Sequence, residues 1–218
     1  SVTSLRELNG ELYAGLGRAQ AGDAEVYRHD GGTNWTRVGG DAVNGSWANS
    51  IFEEVVSMTD DGTNLYAGIG NTAGDGEVWR YNGTSWTKIG GDGVASSWNT
   101  TIEQVASMSY FGGNLYAGTS LTAGDGDVWR YNGTSWLQIG GDGLNNGWAA
   151  STYEGVYSLK NDGTNLYAGT GSSNGDGEVY RWNGTSWTKI GGDGVNGSWT
   201  TAQGDAVMTM VEAAGTLY

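Results

Sequence analysis

The tetrapeptide Leu-Tyr-Ala-Gly occurs four times, starting at Leu12, Leu65, Leu115 and Leu166, and a fifth copy opens at Leu217-Tyr218. The spacings are 53, 50, 51 and 51 residues. A fixed period of that size means stacked supersecondary units, as in a solenoid or a propeller. The copies also stand in for an alignment. A position that stays fixed across four of them is under a shared local constraint, from packing or from a ligand.

Composition narrows the choice. The 218 residues include 41 Gly, 11 Trp and 12 Tyr, with 2 Phe and no Pro or Cys. Abundant glycine beside many aromatics predicts short strands and many turns. The absence of cysteine excludes a disulfide framework and thiolate chemistry. His29 is the one histidine, so a repeated histidine metal site is excluded. A net charge of −14 opposes a phosphate backbone and argues against nucleic acid as a partner. No apolar run approaches the ~18 residues that a membrane span needs.

The third copy shows the unit. Val105-Ala106-Ser107-Met108 reads as strand A, and Gly112-Gly113 turns the chain into strand B at Asn114–Gly118. Strand C is Asp127–Tyr131, with aromatics alternating on one face. Asn132-Gly133 marks a hairpin, and strand D is Trp136–Ile139. Gly140-Gly141-Asp142-Gly143 opens the longest connection, which passes Trp148 and Glu154. No segment carries an i, i+3, i+4 apolar stripe, and glycine interrupts every helical candidate. The expectation is an all-β propeller of four-stranded antiparallel blades, about 51 residues each. The repeats run 1–53, 54–103, 104–154 and 155–205, with a partial fifth at 206–218. A parallel β-helix is the competitor, disfavoured by the Asn-Gly hairpins. Because both ends read as strand A, at Val2–Leu5 and Val207–Met210, the expected context is a longer, five-bladed propeller or one completed by another chain. A four-bladed ring is the alternative.

The stretch from Leu166, with Gly-Glu-Val-Tyr-Arg-Trp-Asn-Gly-Thr-Ser-Trp at 177–187, resembles a kelch blade. A Gly-rich stretch ending in Trp, as at 139–148 and 190–199, that leads into an apolar strand and then Leu-Tyr-Ala, as at 166–168, resembles the tachylectin family of five-bladed propeller lectins. The repeats here are longer than that family's. The resemblance implies a multivalent sugar-binding disc, secreted or on the cell surface, that takes N-acetylated or neutral sugars and is not an enzyme.

Three acidic positions recur once per copy. They are Asp23, Asp75, Asp125 and Asp176 in the B–C loop; Asp41, Asp92, Asp142 and Asp193 after the double glycine; and Glu53, Glu103, Glu154 and Asp205 before strand A. Blade topology puts all three sets on one face. Trp47, Trp98, Trp148 and Trp199 each follow an Asp by six residues. Carboxylates that accept sugar hydroxyls beside an indole that stacks on an apolar sugar face would make a shallow lectin site. The candidate sugar-binding residues are therefore these four Asp–Trp pairs with Glu53, Glu103 and Glu154. Each has a plainer reading: the Trp as an inter-blade wedge, the Asp as a turn former. Calcium would need six to eight oxygens, beyond one Asp per loop unless Glu77, Asp127 or carbonyls add theirs; no cofactor or metal is expected. Catalysis needs a unique constellation, and here the candidates repeat equally. The alternative function is a structural or adhesion module that binds no sugar.

Overall fold

The computed structural model describes residues 1–17, 22, 24–48, 52, 54–71, 74–120, 126–148, 155–171, 177–200, 206–213 and 216–218. Among the described residues the regular structure is β-strand, apart from four single 3-10 turns. None of their helices is long and apolar enough to cross a membrane. The chain forms two compact units, Ser1–Val105 and Ala106–Tyr218.

The first unit holds two antiparallel meanders. One is β1 (Val2–Leu8), β2 (Glu11–Leu16), β3 (Glu25–Gly31) and β4 (Asn34–Gly39); the other is β5 (Val55–Asp60), β6 (Leu65–Ile69), β7 (Glu77–Tyr81) and β8 (Trp86–Gly90). Each strand pairs with the next, as Leu65 with Tyr81 and Ala67 with Trp79. Turn chemistry sets these registers. Asn82 Oδ1 accepts the N–H groups of Thr84 (3.0 Å) and Ser85 (2.9 Å), closing the β7–β8 hairpin. Every residue of β6 is buried, so its Leu-Tyr-Ala-Gly-Ile run is covered on both faces.

The second unit repeats the pattern with β9 (Gln104–Phe111), β10 (Asn114–Ser120), β11 (Val128–Tyr131) and β12 (Trp136–Gly140), then β13 (Gly155–Asn161), β14 (Leu166–Gly171), β15 (Val179–Trp182) and β16 (Trp187–Gly191). A single pair, Ser120 with Gly155, joins the two meanders into one sheet. The four strands read from the third copy fall on β9 to β12. Val207–Met210 is less regular than the strand expected there. Val207 N–H reaches the Thr170 carbonyl (3.0 Å), but the paired strands are β17 (Glu212–Ala213) and β18 (Thr216–Leu217), two residues each. A partner that short leaves little for an adjacent strand to pair with.

Packing runs from one meander to the next. In the first unit Val26, Val38 and Trp47 meet Val55, Leu65, Ala67, Ile69 and Trp86 in one core. In the second, Val128, Ile139 and Trp148 meet Val156, Leu166, Ala168 and Trp187, the same positions one period on. Hydroxyls tie successive meanders together within each unit: Thr3 Oγ1 donates to Val55 O (2.7 Å), and Ser107 Oγ to Val156 O (2.7 Å).

Candidate functional site

The D-to-A connection is a folded element rather than an open loop. After each double glycine the Asp adopts a left-handed φ of 51–53° (Asp41, Asp92, Asp142, Asp193). A 3-10 turn follows, and the chain closes on itself. Ala42 N–H bonds the Trp47 carbonyl (2.9 Å), as Gly93 does Trp98 and Gly143 does Trp148 (both 2.8 Å). Ser46, Ser97 and Ser198 hydroxyls accept the N–H groups of Gly40 (2.9 Å), Gly91 (2.8 Å) and Gly192 (2.8 Å). This closure aims the Trp side chain inward.

Trp47, Trp98 and Trp148 are buried, with 1–3% of each exposed. Their ring N–H groups donate to the carbonyls of Ala24 (2.7 Å), Gly76 and Gly126 in their own blade's B–C region. Trp47 also packs edge-on against Trp79 and Trp86, with ring centres 5.7 and 5.3 Å away. Trp148 packs the same way on Trp187 at 5.4 Å. In these three copies the indole is a wedge in the core, with no face turned to solvent for a sugar. Trp199 differs. Its N–H still reaches Gly177 O (2.6 Å), but the residue is 39% exposed.

The aspartates sit in charged clusters that the sequence reading did not assemble. Asp41 pairs with Arg37 (2.6 Å), Asp92 with Lys88 (2.6 Å) and Asp193 with Lys189 (2.7 Å). Each cation also holds the glutamate that opens strand C or, in the last copy, immediately precedes it. Arg37 bonds Glu25 (2.6 Å), Lys88 bonds Glu77, and Lys189 bonds Glu178. The second oxygen of each glutamate accepts from the aromatic two residues on: Tyr27 (3.2 Å), Trp79 (2.7 Å) or Tyr180 (2.7 Å). Burial pushes the Glu77 carboxyl up, with Lys88 and Trp79 opposing. Burial works against the Lys88 and Lys189 charges, but their two carboxylate partners outweigh it and hold both above the ordinary lysine value. The third copy replaces Glu with Asp127 and the cation with Gln138. The repeated signal was present: an acid at the start of strand C and a base eleven or twelve residues later. Its meaning needed the cross-strand register that sets Trp79 beside Lys88.

Glu103 is half-buried on the way into β9, while Glu53 and Glu154 lie outside the described residues, as do Asp23, Asp125, Asp176 and Asp205. Asp75 is buried. The B–C loops do meet the D-to-A connections: Gly22 N–H donates to Phe52 O (2.9 Å) and Gly76 N–H to Ile102 O (3.1 Å). Among the described residues no group of three His, Cys, Asp or Glu side chains could hold a metal ion. Glu77, named above as a possible calcium oxygen, has both oxygens engaged by Lys88 and Trp79.

No family model matches the chain, and no curated protein matches it by sequence. Solved structures do resemble it. The structure of U3-55K superposes with a TM-score of 0.53 at 14% identity, over 88% of this chain and 52% of that one. The RRP9 WD40 repeats give 0.53 at 14% identity, over 87% and 50%. A chain of the mitotic checkpoint complex gives 0.52 at 14% identity, over 86% and 52%. The chain thus spans about half the length of the structures it resembles. WD40 repeats build propeller blades of four strands. At this identity the likeness is one of fold, and with the meanders above it shows a β-propeller repeat architecture.

Proposed function

We propose that this chain is a non-catalytic propeller module with a structural or adhesive role. One observation carries the reading: among the described residues, most tryptophans and aspartates of the D-to-A connections are engaged in building blades. Three of the four connection tryptophans are buried and hydrogen-bonded to carbonyls. Three of the four connection aspartates pair with a cation. Position-by-position repetition of this kind follows from repeated packing and needs no repeated ligand. A secreted or cell-surface setting suits an acidic module of this sort.

A tachylectin-like lectin is the second reading. It is favoured by the carboxylates of Asp41, Asp92 and Asp193, which keep 37–47% of their side chains exposed beside a cation. Such sites would be weak singly and useful together. A glycan array of N-acetylated and neutral sugars separates the two. The structural reading expects a folded chain that retains no glycan. Saturable binding that vanishes in a folded variant with Asp41, Asp92, Asp142 and Asp193 all changed to Asn would establish the lectin instead.

A further inference from the structure

The dipeptide Asn-Gly occurs eight times, and every copy except Asn174-Gly175 lies within the described residues. An asparagine side chain cyclises readily in this context, because glycine has no side chain to hinder the approach of its nitrogen. That nitrogen attacks the asparagine Cγ, Nδ2 leaves as ammonia, and water then opens the ring. The fold treats the described copies in two ways.

Four of them are shielded. Asn9, Asn44, Asn146 and Asn196 have left-handed φ values of 54–61°. At Asn44 and Asn196 ψ is 30° and 26°, which turns the side chain away from the glycine nitrogen across the Cα–C bond. The glycine N–H groups are all held: Gly10 by Glu7 Oε1 (2.6 Å), Gly45 by Ala42 O (3.1 Å), Gly147 by Leu144 O (2.8 Å) and Gly197 by Gly194 O (3.1 Å). The leaving nitrogens of Asn44 and Asn196 also donate, to Val38 O (3.1 Å) and Ile190 O (3.0 Å). Cyclisation at these places must break such bonds first.

The C–D hairpins are the opposite case. Asn82, Asn132 and Asn183 are exposed, as are the glycine and threonine after each. Among the described residues no acceptor takes the N–H of Gly83, Gly133 or Gly184. A Cβ built on any of these glycines meets nothing within 4 Å, so no neighbour crowds the peptide. Each asparagine Oδ1 accepts two backbone N–H groups: from Thr84 (3.0 Å) and Ser85 (2.9 Å), from Thr134 and Ser135 (both 2.9 Å), and from Thr185 and Ser186 (both 2.9 Å). Negative charge builds on that oxygen as the glycine nitrogen adds to Cγ, and donors already aimed at it stabilise the charge. The leaving nitrogen of Asn183 reaches Ser186 Oγ at 3.5 Å, a weak hold.

We propose that Asn82, Asn132 and Asn183 are sites of spontaneous modification, each closing to a succinimide in the folded chain and hydrolysing to isoaspartate and aspartate. In the first step the glycine N–Cγ bond forms and the Cγ–Nδ2 bond breaks. The glycine proton passes to water, and the departing nitrogen takes one from water to leave as ammonia. In the second step water adds to one of the two ring carbonyls, and the ring C–N bond on that side breaks. Water is the one co-reactant. Each event puts a carboxylate where an amide stood. As isoaspartate it also adds a backbone atom to the turn before Trp86, Trp136 or Trp187. The first blade carries Asp30-Gly31 at this place, so the change brings the later hairpins to the charge that the first already has. The proposal rests on neither functional reading.

The test is to incubate the full chain in mildly alkaline buffer, folded and in parallel unfolded in guanidinium, and to map both by peptide mass spectrometry. Each conversion is read as the mass change from amide to acid, with isoaspartate separated from aspartate by chromatography. In the unfolded chain all the copies should react at comparable rates. In the folded chain Asn82, Asn132 and Asn183 should outpace Asn9, Asn44, Asn146 and Asn196 by about tenfold or more, the effect of the bonds that hold the shielded copies. Folded-chain rates that do not separate the two groups overturn the proposal. So does a folded chain whose hairpins stay intact while the unfolded chain reacts.

Discussion

The indole N–H of Trp86 donates to the backbone carbonyl of Val38, 2.8 Å away and 48 residues back in the chain. The bond crosses from one meander to the one before it, and Trp187 repeats it on Ile139. An aromatic that opens strand D therefore locks its blade onto the preceding one. It buries a large apolar surface and gives the indole N–H a partner, on a carbonyl that also accepts from Asn44 (3.1 Å) or, in the later copy, Asn145 (3.0 Å).

The tight strand B explains why glycine ends each Leu-Tyr-Ala-Gly. A Cβ built on Gly68 would lie 2.5 Å from Ser57 Oγ, 2.8 Å from Val105 Cγ1 and 2.9 Å from Val105 O. Gly68→Ala should therefore cost about 1–3 kcal/mol by overpacking. Gly133→Ala meets nothing within 4 Å, but its φ of +95° adds strain of about 1 kcal/mol or more. Urea unfolding of the two variants gives both values.

Gln138 interrupts a charged cluster that three other copies complete with Arg37, Lys88 and Lys189. Gln138→Lys would place a cation among Asp127 and Asp142. It should stabilise the chain by roughly 0.5–1 kcal/mol, discounted because the outer carboxylate of such clusters is exposed. The gain should shrink as added salt screens the pair. Thermal melts of parent and variant at low and high salt check it.

Two turn aspartates set the acid limit. Asp162 is held well below the usual range by the Asn165 N–H, the Tyr167 hydroxyl and the Thr164 N–H. Burial alone would raise Asp61, but its bonds to Asn64, Tyr66 and Thr63 outweigh that and lower it. A depressed folded pKa stabilises above the unfolded value of about 3.9 and is lost as pH falls through the folded one. Lys88 and Lys189 are raised, so their contribution is whole below the unfolded value of about 10.4 and is lost progressively as pH rises from there through the higher folded values. Glu77, raised by burial, offsets part of the acid loss. The melting temperature should be flat between about pH 5 and 10 and fall on both sides. Changing Asp61 and Asp162 together to Asn should make the acid fall shallower, since Asn keeps the turn and does not titrate.

The period and the Asn-Gly hairpins made the strands legible, because turn chemistry and alternation are local. Burial was not local. Trp47 and Trp199 share a sequence context, yet one is 1% exposed and the other 39%, and the difference lies in whether a following tryptophan packs against them. The pairing of Lys88 with both Glu77 and Asp92 was equally hidden, since it depends on strands C and D lying side by side. The members of the candidate site recur at fixed spacings in the sequence, while their contacts are set by neighbours that the sequence did not place.

The central claim is that once-per-blade residues act through blade junctions. The direct measurement is the unfolding free energy of Trp35→Phe, Trp86→Phe and Trp187→Phe, taken in urea at protein concentrations low enough to keep single chains. All three positions open strand D, but only Trp86 and Trp187 reach a preceding blade's carbonyl at 2.8 Å, while Trp35 is 42% exposed. The account predicts a loss of about 1–3 kcal/mol at Trp86 and Trp187, from the lost indole hydrogen bond and the space left in the core, and within about 0.5 kcal/mol of no change at Trp35. Equal losses at all three positions would contradict it.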